Sequence, residues 1–436
     1  TKISTTSSAS SAKIATPRIT APMIGHAADV LTRLLDFSQP ADAVLSTYFR
    51  EHRTLGGRER GSIAETCYTV LRHKRQLEKL VQPAKSPRWL ILAALLRYDG
   101  VAQRQLAEVV SAAEKDWLLE FKSRPEPEFS LADQADLPDW LTERLLTQFS
   151  ASELLELARG LNQSAPLDLR VNSLKATREE ILAQLANEGL AAEACPYAPL
   201  GIRLKTKPAL QKHPLYLQGA IEVQDEGSQL LGSLLAPKRG EMVVDFCAGA
   251  GGKTLLLGAL MRSTGRLYAF DVSDKRLQKL KPRLARSGLS NVHPACISNE
   301  NDLRVKRLSG KIDRVLVDAP CSGLGTLRRN PDLKWRQTPQ GVEELTHKQR
   351  DILAGAARLV KPGGRLVYAT CSMLAEENEA VVDAFLAVHA DFHRLNALEL
   401  LAQQSIVISG DGPDMRLLPH IHGSDGFYAA VLERVK

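Results

Sequence analysis

The chain has 436 residues, with 57 Lys plus Arg against 50 Asp plus Glu and a formal net charge of +7. At roughly 150 residues per domain this predicts two or three domains. Its 44% hydrophobic and 25% charged residues exclude a collagen, a wholly disordered chain and a disulfide miniprotein. The mild basic excess permits an anionic partner such as RNA without requiring one.

The apolar run at residues 89–96 is far short of the ~20 residues a membrane span needs, so no membrane partner is expected. The six cysteines are Cys67, Cys195, Cys247, Cys296, Cys321 and Cys371, and the closest two are 25 residues apart (321 − 296). That spacing leaves out the CxxC pattern of zinc and redox sites, so no metal is expected. Sparse cysteines in a long chain point to a reducing, cytoplasmic setting.

In chain order, residues 1–22 are rich in Ser, Thr and Ala with no acid, and are expected to form a disordered tail. Residues 23–125 show helical spacing, as in Val30, Leu31, Leu34 and Leu35, broken at Pro83 and Pro87. Pro125 and Pro127 read as a linker. Residues 126–236 read as an α+β subdomain with strands at 167–171 and 221–223 and helices at 177–187 and 228–235.

From residue 237 to the end, strands alternate with helices. Strands are expected at 242–246, 266–271, 292–297, 312–318 and 365–370, and helices from 253, from 274 and over 342–359. Pro282 lies inside the second of these helices and is expected to kink it. The rhythm predicts an α/β, doubly wound, mainly parallel sheet.

The turn Asp245-Phe-Cys-Ala-Gly-Ala-Gly-Gly-Lys-Thr254 joins the first of these strands to its helix. It is not a P-loop, because the position five before Gly252 is Cys247. It fits GxGxxG at Gly249 and Gly251, but the third position is Thr254. Asp271 ends the next strand, 20 residues after Gly251 (271 − 251), where a carboxylate can accept from ribose hydroxyls. The pattern indicates a nucleoside cofactor, either NAD or S-adenosylmethionine.

Cys321, in Asp318-Ala-Pro-Cys-Ser-Gly, and Cys371, in Thr370-Cys-Ser, follow two further strands. Ligands of open α/β sheets lie outside the carboxyl ends of the strands, so both thiols are expected on the rim that carries the glycine turn. One strand-end cysteine is usually a packed small hydrophobe. Two beside a nucleoside pocket suggest chemistry, although chemistry alone does not say which attacks.

Three segments together, residues 245–254, 318–335 and 368–372, resemble the Nol/Nop/Sun family of RNA (cytosine-5) methyltransferases, and Asp425-Gly-Phe-Tyr428 also fits. The resemblance covers about residue 167 to the end. Residues 59–72 resemble more weakly the NusB-like RNA-binding domain fused to the bacterial small-subunit rRNA methyltransferase B branch. The family usually has Pro where this chain has Ala250.

The resemblance implies a Rossmann-like methyltransferase sheet, S-adenosylmethionine as cofactor and RNA as substrate, with 16S rRNA favoured over tRNA; separately, the chain is expected to act as a monomer. It makes Cys371 the nucleophile on cytosine C6 and Cys321 the residue that resolves the adduct, with Asp318 facing the base. Cys247, Ala248, Gly249, Ala250, Gly251, Gly252 and Lys253 would cradle the cofactor, with Asp271 on its ribose and Asp302 and Asp318 at its edge. RNA would meet Arg170 and Asn172, and the Arg328, Arg329, Lys334 and Trp335 loop. Lys275, Lys279, Arg283 and Arg286 form a basic helical stripe.

An NAD-dependent oxidoreductase would leave both strand-end cysteines without a role. A non-catalytic RNA-binding assembly factor would not need them.

Overall fold

The computed structural model describes residues 19–83 and 86–436, so most of the expected tail lies outside the described residues. Contacts divide the chain into two units, meeting between Asp136 and Leu137.

The described part of the first unit is helical throughout. Its opening helix, Ala21–Leu34, already includes the last two residues assigned to the tail, with Thr20 Oγ1 capping the Met23 N–H at 3.4 Å. The helix Pro87–Arg97 buries Leu90 through Leu95 without a polar face, the pattern of a central helix. Val30, Leu31, Cys67, Val70, Leu71 and Leu118 complete the core around it. The boundary lies later than the expected linker because residues 131–136 fold back onto this unit. Asp133 pairs with Arg75 at 2.9 Å and Lys79 at 2.6 Å, and Asp136 with His73 at 3.1 Å.

The second unit carries twelve strands in two sheets. The smaller sheet holds β1 (Leu167–Val171), β2 (Ala192–Ala194), β3 (Gly201–Leu204) and β4 (Ile221–Val223) in the order β2-β3-β1-β4, all antiparallel. The larger sheet begins with β5 (Met242–Asp245), β6 (Arg266–Asp271), β7 (Val292–Cys296), β8 (Ile312–Asp318) and β9 (Val360–Thr370). It is completed by β10 (Phe392–Leu395), β11 (Met415–Leu417) and β12 (Phe427–Arg434). Its order is β10-β12-β9-β8-β5-β6-β7, with β11 beside β12. β5 to β9 run parallel and the later strands antiparallel.

Successive residues point to opposite faces of this sheet. Val243, Leu316 and Val367 enter one core with Leu230, Leu234 and Leu257, and Val244, Val317 and Tyr368 enter the other with Leu353 and Val382. Burial on both faces explains why the central strands read as continuous apolar runs. The sheet grows one way from β5 to β6 and β7, and the other way to β8 and β9. The topological switch therefore falls between β5 and β8, where such folds bind ligands.

Three elements differ in detail from expectation. β9 begins at Val360, taking in the Lys361-Pro-Gly-Gly turn, and its ladder with β8 shifts between Ile312 and Arg314. The following-strand helix expected over 342–359 starts earlier, at Pro339, where Thr338 Oγ1 caps the Gly341 N–H at 3.0 Å. The helix Asp274–Ser287 runs through Pro282, which sits on its exposed face.

Candidate active site

A cleft of about 600 Å³ opens at the carboxyl ends of β5, β6 and β8. Its floor is the turn after β5. Gly251 adopts φ 85°, and a Cβ there would collide with Leu280, so only glycine fits. Of the expected cradle, Cys247, Ala248, Gly249, Ala250, Gly252 and Lys253 line the cleft, whereas Gly251 shapes the turn from behind.

Asp271 sits at the end of β6 and is 4% exposed. Its carboxylate accepts from the Gly249 N–H at 2.8 Å and the Ser273 N–H at 2.8 Å, which fixes it against the turn. Val272 and Ile297 line the same end, a polar acceptor beside apolar surface. A carboxylate beside apolar surface fits the needs of an adenosine moiety. Asp302 does not meet its expectation. It lies outside the cleft, where its carboxylate accepts from the Ser298 N–H at 2.9 Å and the Arg304 N–H at 2.8 Å as a helix cap.

Lys253 reaches across the cleft to Asp318, Nζ to Oδ2 at 2.6 Å. Burial works against its ammonium, but Asp318 and Asp245 outweigh that and raise its pKa above the ordinary value. Asp245, behind the turn, is fully buried, and burial pushes its pKa up to about 7 despite the Thr254 hydroxyl at 2.7 Å.

Cys321 and Cys371 both border the cleft, as unpaired thiols with their sulfurs 3.4 Å apart. β8 and β9 are adjacent, so their ends deliver the two side chains to one place. The loops are stitched together: the Gly325 N–H donates to the Cys371 carbonyl at 2.8 Å, and the Gly426 N–H to the Gly325 carbonyl at 2.8 Å. A Cβ at Gly325 would strike both partners. Contact with Cys371, then burial, raises the Cys321 pKa well above the ordinary thiol value. Burial likewise raises the Cys247 pKa. Lys253 holds its cation within electrostatic reach of Cys371.

The expected RNA contacts are the main correction. Arg170 is 2% exposed and donates to the Gly252 carbonyl at 2.6 Å, so it braces the glycine turn. Asn172 is buried and donates to the Gly219 and Ser287 carbonyls, each at 2.9 Å. Arg328 binds the Gly423 and Ser424 carbonyls at 2.8 and 2.9 Å. Arg329 pairs with Asp425 at 2.5 Å and Asp225 at 3.0 Å. Lys334 is wholly buried, with Asn162 at 3.0 Å, and Trp335 is half-buried beneath its ammonium. This loop is an internal brace, with Arg329 matched by two carboxylates and Arg328 and Lys334 held by neutral oxygens. In the helical stripe, Arg283 and Arg286 pair with Glu222, and Lys275 and Lys279 stay exposed.

The residue motifs did not bring out Glu377, Gln349 or Lys348, and placed Arg283 only in the helical stripe. Lys348 and Arg283 line the cleft, and Glu377 lies buried behind the two cysteines. The Glu-Glu-Asn-Glu run at 376–379, directly after an apolar strand and Thr-Cys-Ser, was the available signal for Glu377. Among the described residues, Asp168, Cys195 and Glu226 cluster at metal-like spacing. Arg203 fills that role, bonding Asp168 at 2.8 Å and Glu226 at 3.2 Å.

A doubly wound sheet with a nucleoside cleft at its switch point, a ribose-side carboxylate and a paired-thiol rim define an S-adenosylmethionine-dependent methyltransferase. Residues 232–433 match the family model for the 16S rRNA methyltransferase RsmB/F, and residues 137–211 match the ferredoxin-like domain of RsmF/B-like methyltransferases. The chain is 40% identical over 309 residues to the probable ribosomal RNA small subunit methyltransferase B of Synechocystis, covering 70% of this chain and 68% of that protein. It is 32% identical over 433 residues to ribosomal RNA small subunit methyltransferase B of Sodalis glossinidius, covering 93% and 96%. A solved methyltransferase homolog from Pyrococcus horikoshii superposes with TM-score 0.60 at 29% identity, over 71% of this chain and all of that one. The chain belongs to the ribosomal RNA small subunit methyltransferase B family. No described helix is long and apolar enough to cross a membrane.

Proposed function

We propose that this protein methylates C5 of a cytosine in RNA, with 16S rRNA as the substrate, through a covalent adduct between Cys371 and cytosine C6. The reading is carried by one observation, the two facing sulfurs beside the Lys253–Asp318 pair on the rim of a nucleoside cleft. The named relatives act on ribosomal RNA of the small subunit, which favours that substrate.

C5 of cytosine is a poor nucleophile. Addition of a thiolate at C6 makes C5 enamine-like, which divides one hard step into two easier ones. Bound S-adenosylmethionine supplies the electrophilic methyl group that the activated C5 takes up. Gly249, Gly252 and Asp271 hold it, and Lys253 supplies the cation beside Cys371. Asp318, at the edge of the cleft, faces the amino side of the base. Cys321, whose pKa its surroundings raise, passes its proton to the departing Cys371 sulfur and takes up the C5 proton in its place.

The target base has to leave its stack to reach the rim. Its phosphates have no partner in the Arg328–Lys334 brace, so they are met by exposed cations such as Lys275 and Lys279. The enzyme works as a cytoplasmic monomer, with residues 23–125 contributing RNA affinity. Bisulfite sequencing of RNA from cells with and without this gene tests the reading. Loss of one protected cytosine in 16S rRNA supports it, and an unchanged pattern contradicts it.

A further inference from the structure

Behind the two thiols lies a buried carboxylate that the reaction above does not use. Glu377 is fully buried in the segment between β9 and the helix Glu379–Val388. Its Oε1 accepts from the Ser322 N–H at 2.8 Å and from Gln349 Nε2 at 3.0 Å. Its Oε2 accepts from the Ser322 hydroxyl at 2.5 Å and from the Ser372 hydroxyl. Gln349 also holds the Pro320 carbonyl at 3.0 Å.

Ser322 follows Cys321 and Ser372 follows Cys371, so a single carboxylate is bonded to the residue after each thiol. A buried carboxylate is costly unless its oxygens are satisfied, and here four donors meet two oxygens. No ion pair reaches Glu377 among the described residues. An apolar side chain in its place would leave those four donors unmet, and the bonds that Glu377 makes run to both cysteine loops.

We propose that Glu377 is a positioning residue, a clamp that holds the Cys321 and Cys371 loops in register so that one thiol can attack and the other can resolve. The division of labour rests on the proposed methylation, but the clamp itself is a matter of geometry and can be tested separately.

Closure of the two thiols to a disulfide measures their juxtaposition. The reagent is diamide, an azodicarboxamide: the thiols lose two electrons and two protons as the S–S bond forms, and the N=N bond takes both up to become a hydrazine. Loss of two hydrogens from the full-length protein is read by mass spectrometry. Glu377→Ala should close roughly tenfold more slowly than wild type, and Ser322→Ala, which removes one tether, roughly threefold more slowly.

The negative charge of Glu377 works against ionisation of Cys321, so charge loss alone would speed closure. Slower closure therefore reports displaced sulfurs. If Glu377→Ala does not fold by circular dichroism, Ser322→Ala carries the test. In that variant multiple-turnover methylation should fall more than single-turnover methylation, with covalent RNA–protein complex accumulating. A merely destabilised protein would lose both in proportion. Closure as fast as wild type or faster in the folded variants overturns the clamp. Slowed closure with no RNA adduct, even in Cys321→Ala, retains the clamp and contradicts the covalent mechanism instead.

Discussion

Lys253 Nζ lies 2.6 Å from Asp318 Oδ2, joining the glycine turn after β5 to the end of β8 across the cleft. The pair places one cation among Asp245, Asp318 and Cys371. Lys253→Met removes that cation and leaves Asp318 unpaired. Methyl transfer in a single turnover should fall by roughly tenfold or more, with Lys253→Arg intermediate. A rate within twofold of wild type for the Met variant would remove Lys253 from the mechanism.

Asp271 is the expected ribose acceptor and also anchors the Gly249 N–H. Asp271→Ala should therefore weaken S-adenosylmethionine binding by roughly tenfold or more, through a lost ligand contact and a loosened turn. Titration calorimetry reads this directly, and unchanged affinity would contradict the placement of the cofactor.

Asp245 offers a stability test. Burial holds its pKa at about 7, against about 4 for an unfolded Asp. The folded state therefore binds the proton more tightly. This contribution is fully present below about pH 4 and is lost as pH rises through about 7. Each pKa unit is worth about 1.4 kcal/mol, so Asp245→Asn should melt at least ~3 °C above wild type at pH 8. The gap should shrink toward pH 5. A variant less stable than wild type at pH 8 would contradict the cost assigned to this buried charge.

Arg329 separates a brace from an RNA contact. Arg329→Ala leaves Asp225 and Asp425 without their cation, a loss on the order of 3–5 kcal/mol. Burial already raises Asp425 to about 6, and removing the arginine raises it further. The loss should thus be smaller at pH 5 than at pH 8, because protonation relieves the stranded charge. Thermal melts at the two pH values read this. Unchanged melting with weakened RNA binding would restore the nucleic-acid role.

These same arginines show where sequence stops informing. β1 lies where its alternation puts it, and β6 and β8 where their apolar runs and flanking turns put them, because a strand buried on both faces leaves a local signature. The rim location of Cys321 and Cys371 also follows from a local rule, since each ends a parallel strand. The partners of Arg329 do not: Asp225 and Asp425 lie 104 and 96 residues away, so the motif shows a charge but not that it is already matched. Asp302 was misread for a related reason. Its side chain caps its own helix away from the cleft, a placement that the residue type alone does not show. Glu377 stayed hidden because its partners come from three separate segments of chain.

The two cysteines carry the central claim, and substituting each in turn tests it most directly. Each change removes one sulfur, and circular dichroism checks that the fold survives. With RNA and S-adenosylmethionine, Cys321→Ala should attack and then stall, giving a covalent RNA–protein band on a denaturing gel. Cys371→Ala should give neither that band nor methylated RNA. A band from Cys371→Ala alone would reverse the roles, and retained methylation with no band from either variant would contradict the covalent mechanism.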